Sequence, residues 1–244
     1  MLLEARQVSK AFGDFRAVAG ADLTIDEGEI VGLIGPNGAG KSTFFNCLAG
    51  DTTPTGGTIT FAGEDVTFAS PETHARLGIG RTFQVPATFE DMTVLENVMV
   101  GAFLRHPHRR EARARASGIV ELTGLKPVEH LRARALGTPG RKRLEIARVL
   151  ATEPRLMLLD ESLAGLTPTE LQDAIKLVRK IHDMGITIVI VEHIMEVIMT
   201  LTRRVLVFNQ GHVIASGRPE EVVQDETVIS AYLGHGHRQR RSDA

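Results

Sequence analysis

The run "IVGLI" leads directly into "GPNGAGKST" (residues 30–43), and no other stretch constrains this chain as tightly. A short apolar run, a glycine-rich loop and a helical pattern follow one another. That is the setting in which G-x-x-x-x-G-K-[ST] forms a phosphate-binding loop. Gly35, Gly38 and Gly40 allow the backbone to wrap tightly and point its N–H groups inward at phosphate oxygens. The helix that opens next adds its positive N-terminal end to the same anion. Lys41 is expected to reach the β- and γ-phosphates and the Ser42 hydroxyl to ligate Mg²⁺. The whole set Gly35, Pro36, Asn37, Gly38, Ala39, Gly40, Lys41, Ser42 and Thr43 is the expected nucleotide cradle.

Two further strand ends carry polar residues. "RLMLLDE" (155–161) is an apolar run that ends in two acids. Carboxylates are costly inside a sheet, so the pair belongs at its C-terminal edge, where open α/β sheets place ligands. Asp160 is the expected Mg²⁺ partner, and Glu161 the group that polarises an attacking water. "TIVIVEH" (187–193) repeats the form and delivers His193, whose imidazole can donate to a γ-phosphate. Gln84, in "GRTFQ" after another short strand, offers a neutral amide as Mg²⁺ or water ligand.

Alternating apolar runs and helical patterns predict a βαβ-type α/β fold. Strands are expected at 2–8, 22–25, 30–34, 58–61, 79–83, 156–159, 187–191, 205–208 and 213–216. "IVGLI", "LMLL" and "TIVIV" read as buried on both faces. The short terminal strands with Gly-rich turns such as "NQGHVIASG" read as antiparallel hairpins. Between about 93 and 136 the pattern is helical. Within it "RHPHRREARARA" sets five arginines against one glutamate, which reads as a solvated helix face ahead of a patch for an anionic partner.

At 244 residues the chain fits one large α/β domain with modest subdomains. Its net charge of −2 gives no sign of nucleic-acid binding. The lone Cys47 excludes an internal disulfide and suits a reducing cytoplasm. "ITIVIV" (186–191) falls far short of the ~20 apolar residues of a membrane span. "MLLEARQVSK" lacks the features of a signal peptide. The basic end "HGHRQRRSDA" reads as a frayed tail, with the domain expected over 1–235 and the tail over 236–244.

In their order along the chain these motifs resemble the nucleotide-binding subunits of ATP-binding cassette (ABC) transporters, from about residue 2 to 233. The resemblance implies a P-loop NTPase core with a mixed sheet, a small antiparallel β subdomain and a helical subdomain at about 93–150. It makes "GPNGAGKST" the Walker A, Gln84 the Q-loop glutamine, "LMLLDE" the Walker B, Glu161 the catalytic glutamate and His193 the switch histidine. "AGLTP" (164–168) becomes the D-loop, and Phe12 in "KAFG" the aromatic that stacks on adenine. "ARLGIGRTFQ", "MTVLENVMVGA", "RLEIARVLATEP" and "AGLTPTE" are similar to the ATPase subunits of branched-chain amino acid uptake systems. That likeness implies ATP and Mg²⁺ as ligands and an ATPase dimer, with a second copy or a related ATPase. It also implies membrane permeases, a solute-binding protein acting indirectly, no nucleic acid, and a place on the cytoplasmic face of the plasma membrane. The transported solute, the particular partners and the dimer type are not legible.

Two departures stand out against the family pattern. Where members carry something close to L-S-G-G-Q before the R-x-E-I-A-R helix, this chain has Leu136, Gly137, Thr138, Pro139 and Gly140. Proline lacks an N–H, so a backbone donor to phosphate is lost there, yet it suits the first turn of a helix. Thr138, Arg141 or Lys142 can supply a hydroxyl or charge instead. In the family this loop acts on the partner's ATP, so the expected defect falls on the partner's site. Ser162 replaces the proline common after the D-E pair, a change expected to be minor. The alternative reading is a soluble or regulatory cassette that binds ATP with weak turnover.

Overall fold

The structure is a computed structural model and describes residues 1–233; the basic tail expected at 236–244 lies outside the described residues. The chain forms two compact units. One comprises Met1–Ser70 together with the chain from Val189 onward, the other Pro71–Ile188.

In the first unit, β1 (Leu3–Phe12), β2 (Phe15–Ile25), β4 (Gly56–Phe61) and β5 (Glu64–Asp65) form an antiparallel sheet in the order β2-β1-β4-β5. The same unit holds a mixed set of strands. β3 (Ile30–Ile34) pairs parallel with β9 (Arg204–Asn209), which pairs antiparallel with β10 (His212–Gly217). Every residue of β3 is buried, as an apolar run covered on both faces requires. Helix α1 (Lys41–Leu48) packs Phe44 against Phe208 of β9, with ring centroids 5.2 Å apart. Helices α7 (Met195–Leu201), α8 (Pro219–Val222) and α9 (Glu226–Leu233) complete this unit.

The second unit starts with α2 (Pro71–Leu77) and pairs β6 (Ile79–Arg81) parallel with β7 (Leu156–Asp160). Between these strands lie the helices α3 (Val94–Ala102), α4 (Arg109–Leu122) and α5 (Thr138–Leu150), confirming a helical segment. Gly101 lets α3 approach α5 closely, because a Cβ there would sit 2.3 Å from the Arg148 carbonyl oxygen. Thr93 starts α3 and Thr167 starts α6 (Pro168–Asp183), each in a reciprocal capping box with a glutamate three residues on. β8 (Thr187–Val191) then carries the chain into the first unit.

The strands expected at 2–8 and 22–25 are longer than the sequence pattern suggested, and β5 was not anticipated. The β1–β2 ladder shifts register three times between Ala5 and Ala11, and Gln7 adopts a left-handed φ of 50°. Such bulges break the period-2 alternation on which a strand is recognised. β6 ends at Arg81 rather than Phe83, because the Phe83 N–H is taken by the Glu145 carboxylate at 3.0 Å instead of a strand.

Cys47 is buried in α1, and burial pushes its thiol up to about 11. At pH 8 the thiolate is then roughly 0.1 % of the total, so native protein should react negligibly with a disulfide reagent. Denatured protein should release one equivalent of colour. Rapid native reaction at pH 8 would contradict this packing.

Candidate functional site

The loop after β3 is shaped by backbone crowding. Gly35 has φ 143°, and a Cβ on it would lie 2.1 Å from the Phe208 carbonyl oxygen of β9. Gly40 has φ 102°, and its Cβ would lie 2.4 Å from the Ala17 carbonyl oxygen of β2. No side chain fits either position. The Ala39 N–H bonds the Pro36 carbonyl within the loop, and the Gly211 N–H bonds the Ala39 carbonyl, which ties the loop to the turn between β9 and β10. Gly40, the N-cap of helix α1, makes no side-chain cap bond. Lys41 is 5% exposed, and its ammonium donates to the carbonyls of Gly35 at 2.7 Å and Pro36 at 2.9 Å. The cation therefore lies against the loop that would hold phosphate. Asn37, Gly38 and Ser42 are exposed, while Thr43 is half-buried.

Three other residues of this unit bear on the loop or on the sequence expectations. Phe12 is 54% exposed, with the Lys10 ammonium 5.0 Å from its ring centroid, so it is a surface aromatic and not a core one. His193 is exposed just past the end of β8. Tyr232 of α9 was not anticipated: burial pushes its phenol up, and a bond from the Gly35 N–H pulls it down.

In the second unit the acidic strand end is held by a hub that sequence reasoning missed. Thr82 is fully buried; its hydroxyl accepts from the Asp160 N–H at 3.0 Å and lies 2.6 Å from the Ser162 hydroxyl. Ser162, read from the sequence as a minor departure, is thus half of a buried hydroxyl pair. Asp160 is buried beside the Arg81 guanidinium at 3.4 Å. Glu161 adopts a left-handed φ of 45°, which costs a non-glycine residue roughly 1–2 kcal/mol. The Gln84 amide donates to its carboxylate at 2.8 Å, which joins two of the expected site residues.

The loop carrying Gln84 is anchored at both ends. Glu145 of α5 accepts from the N–H groups of Phe83 at 3.0 Å and Ala87 at 3.4 Å. Burial pushes the Glu145 carboxyl up, and these two bonds offset only part of that rise. Arg148 donates to the Ala87 carbonyl, and Asn97 bonds the Phe89 backbone through both ends of its amide.

Helix α5 begins at Thr138, with Gly137 extended at its N-cap and Pro139 in the first turn, so the altered signature still starts a helix. Leu136 packs against Gly140, where a Cβ would lie 3.3 Å from the leucine Cβ. Arg141 donates to the carbonyls of Leu136 and Arg134 and pairs with Glu90 at 3.2 Å. Lys142 donates to the carbonyls of Glu161 at 3.1 Å and Ala164 at 2.6 Å. Both cations next to the altered tip are therefore engaged by this chain's own acceptors.

A lysine laid on a loop that admits only glycine at positions 35 and 40, behind a buried strand, defines a nucleotide-binding P-loop protein. The ABC transporter family matches residues 18–164, and the branched-chain amino acid ATP-binding cassette transporter family matches residues 212–238. The chain belongs to the ABC transporter ATP-binding family. It is 38% identical to the high-affinity branched-chain amino acid transport ATP-binding protein BraF of Pseudomonas aeruginosa, over 96% of this chain and 98% of that protein. It is 40% identical to LivG, the protein of the same description from Salmonella typhimurium, over the same shares. The lipopolysaccharide export system ATP-binding protein LptB of Escherichia coli is 35% identical, over 97% and 98%. Among solved structures, a nucleotide-free ATP-binding cassette from an ABC transporter superimposes with a TM-score of 0.88 at 29% identity, covering 96% of this chain and 99% of that one.

Thr82→Val keeps the shape but removes the acceptor for the buried Asp160 N–H. It should lower unfolding free energy by about 1–3 kcal/mol in urea melts, while Thr82→Ser should cost less. Equal stability of Thr82→Val and wild type would contradict the hub.

Proposed function

We propose that this chain hydrolyses ATP to energise a membrane transporter that takes up branched-chain or related amino acids. The observation that carries the reading is the crowded loop that admits only glycine at positions 35 and 40, with the Lys41 ammonium lying on it. Main-chain N–H groups and one cation suit a polyphosphate, which presents many oxygens and much negative charge. In this reading the residues 35–43 hold the phosphates and Phe12 stacks on the base.

The family resemblance names the oxygen donors that would hold Mg²⁺: the Ser42 hydroxyl of the first unit, and the Asp160 carboxylate and Gln84 amide oxygen of the second. No cluster of three or more His, Cys, Asp or Glu that could hold a metal occurs among the described residues. Bound there, Mg²⁺ would neutralise charge on the phosphates. Glu161 accepts a proton from water as its oxygen bonds the γ-phosphorus, while the bond to the β–γ bridging oxygen breaks and ADP leaves. His193 donates to the γ-phosphate, and Gln84 orients the water.

The uptake assignment is supported by the likeness to BraF and LivG and by the C-terminal match at 212–238. LptB, described as part of an export system, covers this chain as fully at slightly lower identity. No helix among the described residues is long and apolar enough to cross a membrane; in this reading permease partners hold the subunit at the cytoplasmic face. The working unit in this reading is an ATPase dimer, in which Leu136 to Gly140 of one subunit act on the other's ATP.

Single-turnover hydrolysis tests the chemistry. Glu161→Gln should lower the rate by at least about a hundredfold with ATP still bound; an unchanged rate would remove Glu161 from the mechanism. Restoring Ser-Gly-Gly-Gln at 137–140 should raise the dimer's ATPase rate several-fold. An unchanged rate would show that this backbone already serves the partner's nucleotide.

A further inference from the structure

Three cations in a row, Arg141, Lys142 and Arg143, stand near the start of α5, where the first turn has no acid. That is the end of a helix that repels positive charge. Such a cation needs acceptors elsewhere, and Lys142 has them. Its ammonium bridges the carbonyls of Glu161 and Ala164, the two ends of the turn that follows β7. The Glu161 carbonyl also accepts from the Ala164 N–H at 3.3 Å, so the lysine caps a turn that the backbone closes only weakly. Glu161 itself holds a left-handed φ of 45°, a conformation an ordinary residue keeps only when its surroundings enforce it.

We propose that Lys142 is a positioning residue for Glu161, holding the backbone turn that aims its carboxylate and tying the signature helix of this chain to its own catalytic turn. The inference rests on the ATPase reading given above. The side chain of Glu161 is held separately, by the Gln84 amide at 2.8 Å. Lys142 therefore controls the main chain from which the carboxylate projects. Pro139, Lys142, Ser162 and Leu166 line one small cleft, so the altered signature tip and the turn share a wall. The tip then acts within its own subunit as well as on a partner, and a change at 137–140 has a route to this chain's own glutamate.

The test uses the full chain with Mg-ATP in single-turnover hydrolysis, alongside ATP affinity and thermal melting. Lys142→Met keeps the aliphatic stem and removes the ammonium. Its hydrolysis rate should fall about tenfold or more, with ATP affinity within about twofold of wild type. Lys142→Arg should recover the rate to within about threefold. Lys142→Met added to Glu161→Gln should slow hydrolysis no further, because the positioned group is already gone. Wild-type hydrolysis by Lys142→Met, loss of rate and ATP affinity together, no rescue by arginine, or a further loss in the double variant would each overturn the proposal. Should Lys142→Met fail to fold, Lys142→Gln replaces it under the same criteria. If wild type and Glu161→Gln hydrolyse equally, it is the ATPase reading that fails, and Lys142 loses its role with it; if only the lysine variants behave as wild type, this inference fails alone.

Discussion

Two backbone carbonyls, those of Phe208 and Ala17, decide what the loop after β3 can be. Each stands within 2.5 Å of where a side chain at Gly35 or Gly40 would begin, so the loop exists only as glycine at those points. The main chain is brought that close by β9, paired parallel with β3, and by β2. Buried strands press the loop, and the loop sets the start of α1 and the position of Lys41. The phosphate-binding character of the first unit is thus a consequence of strand packing more than of any single polar side chain.

The second unit solves a different problem. It must hold two acids at the end of an apolar strand, one of them in a left-handed backbone conformation. It does so with hydroxyls and amides from distant segments: Thr82 under Asp160 and Ser162, Gln84 on the Glu161 carboxylate, Lys142 on the Glu161 carbonyl. Helix α5 is central to this arrangement, since Glu145 and Arg148 fix the Gln84 loop from the same helix. The signature helix consequently supports both the glutamine loop and the acidic turn of its own unit.

Legibility from sequence followed the range of each interaction. β3, β7 and β8 are short apolar runs bounded by turn residues, so these strands were read correctly from neighbouring letters, and "GPNGAGKST" is an equally local motif. The capped starts of α3 and α6 obey an equally local rule, Thr followed three residues later by Glu. The Thr82–Ser162 pair joins residues 80 apart, and the Glu145–Phe83 bond joins residues 62 apart. No periodicity or motif encodes such contacts, so Thr82, Asn97, Glu145 and Tyr232 passed unnoticed. β1 and β2 were cut short because bulges at Gln7 and beyond disrupt their alternation. Arg141 and Lys142 were offered as substitutes for lost phosphate donors, because a sequence shows a charge without showing which acceptors hold it.

The central claim is that the loop at 35–43, with Lys41 laid against it, grips a polyphosphate. Calorimetric titration of the full chain with Mg-ATP, wild type against Lys41→Ala, measures this most directly. Wild type should bind, and the variant should lose at least tenfold in affinity, about 1.4 kcal/mol, with its fold intact by circular dichroism. Equal affinities in the two proteins would contradict the account.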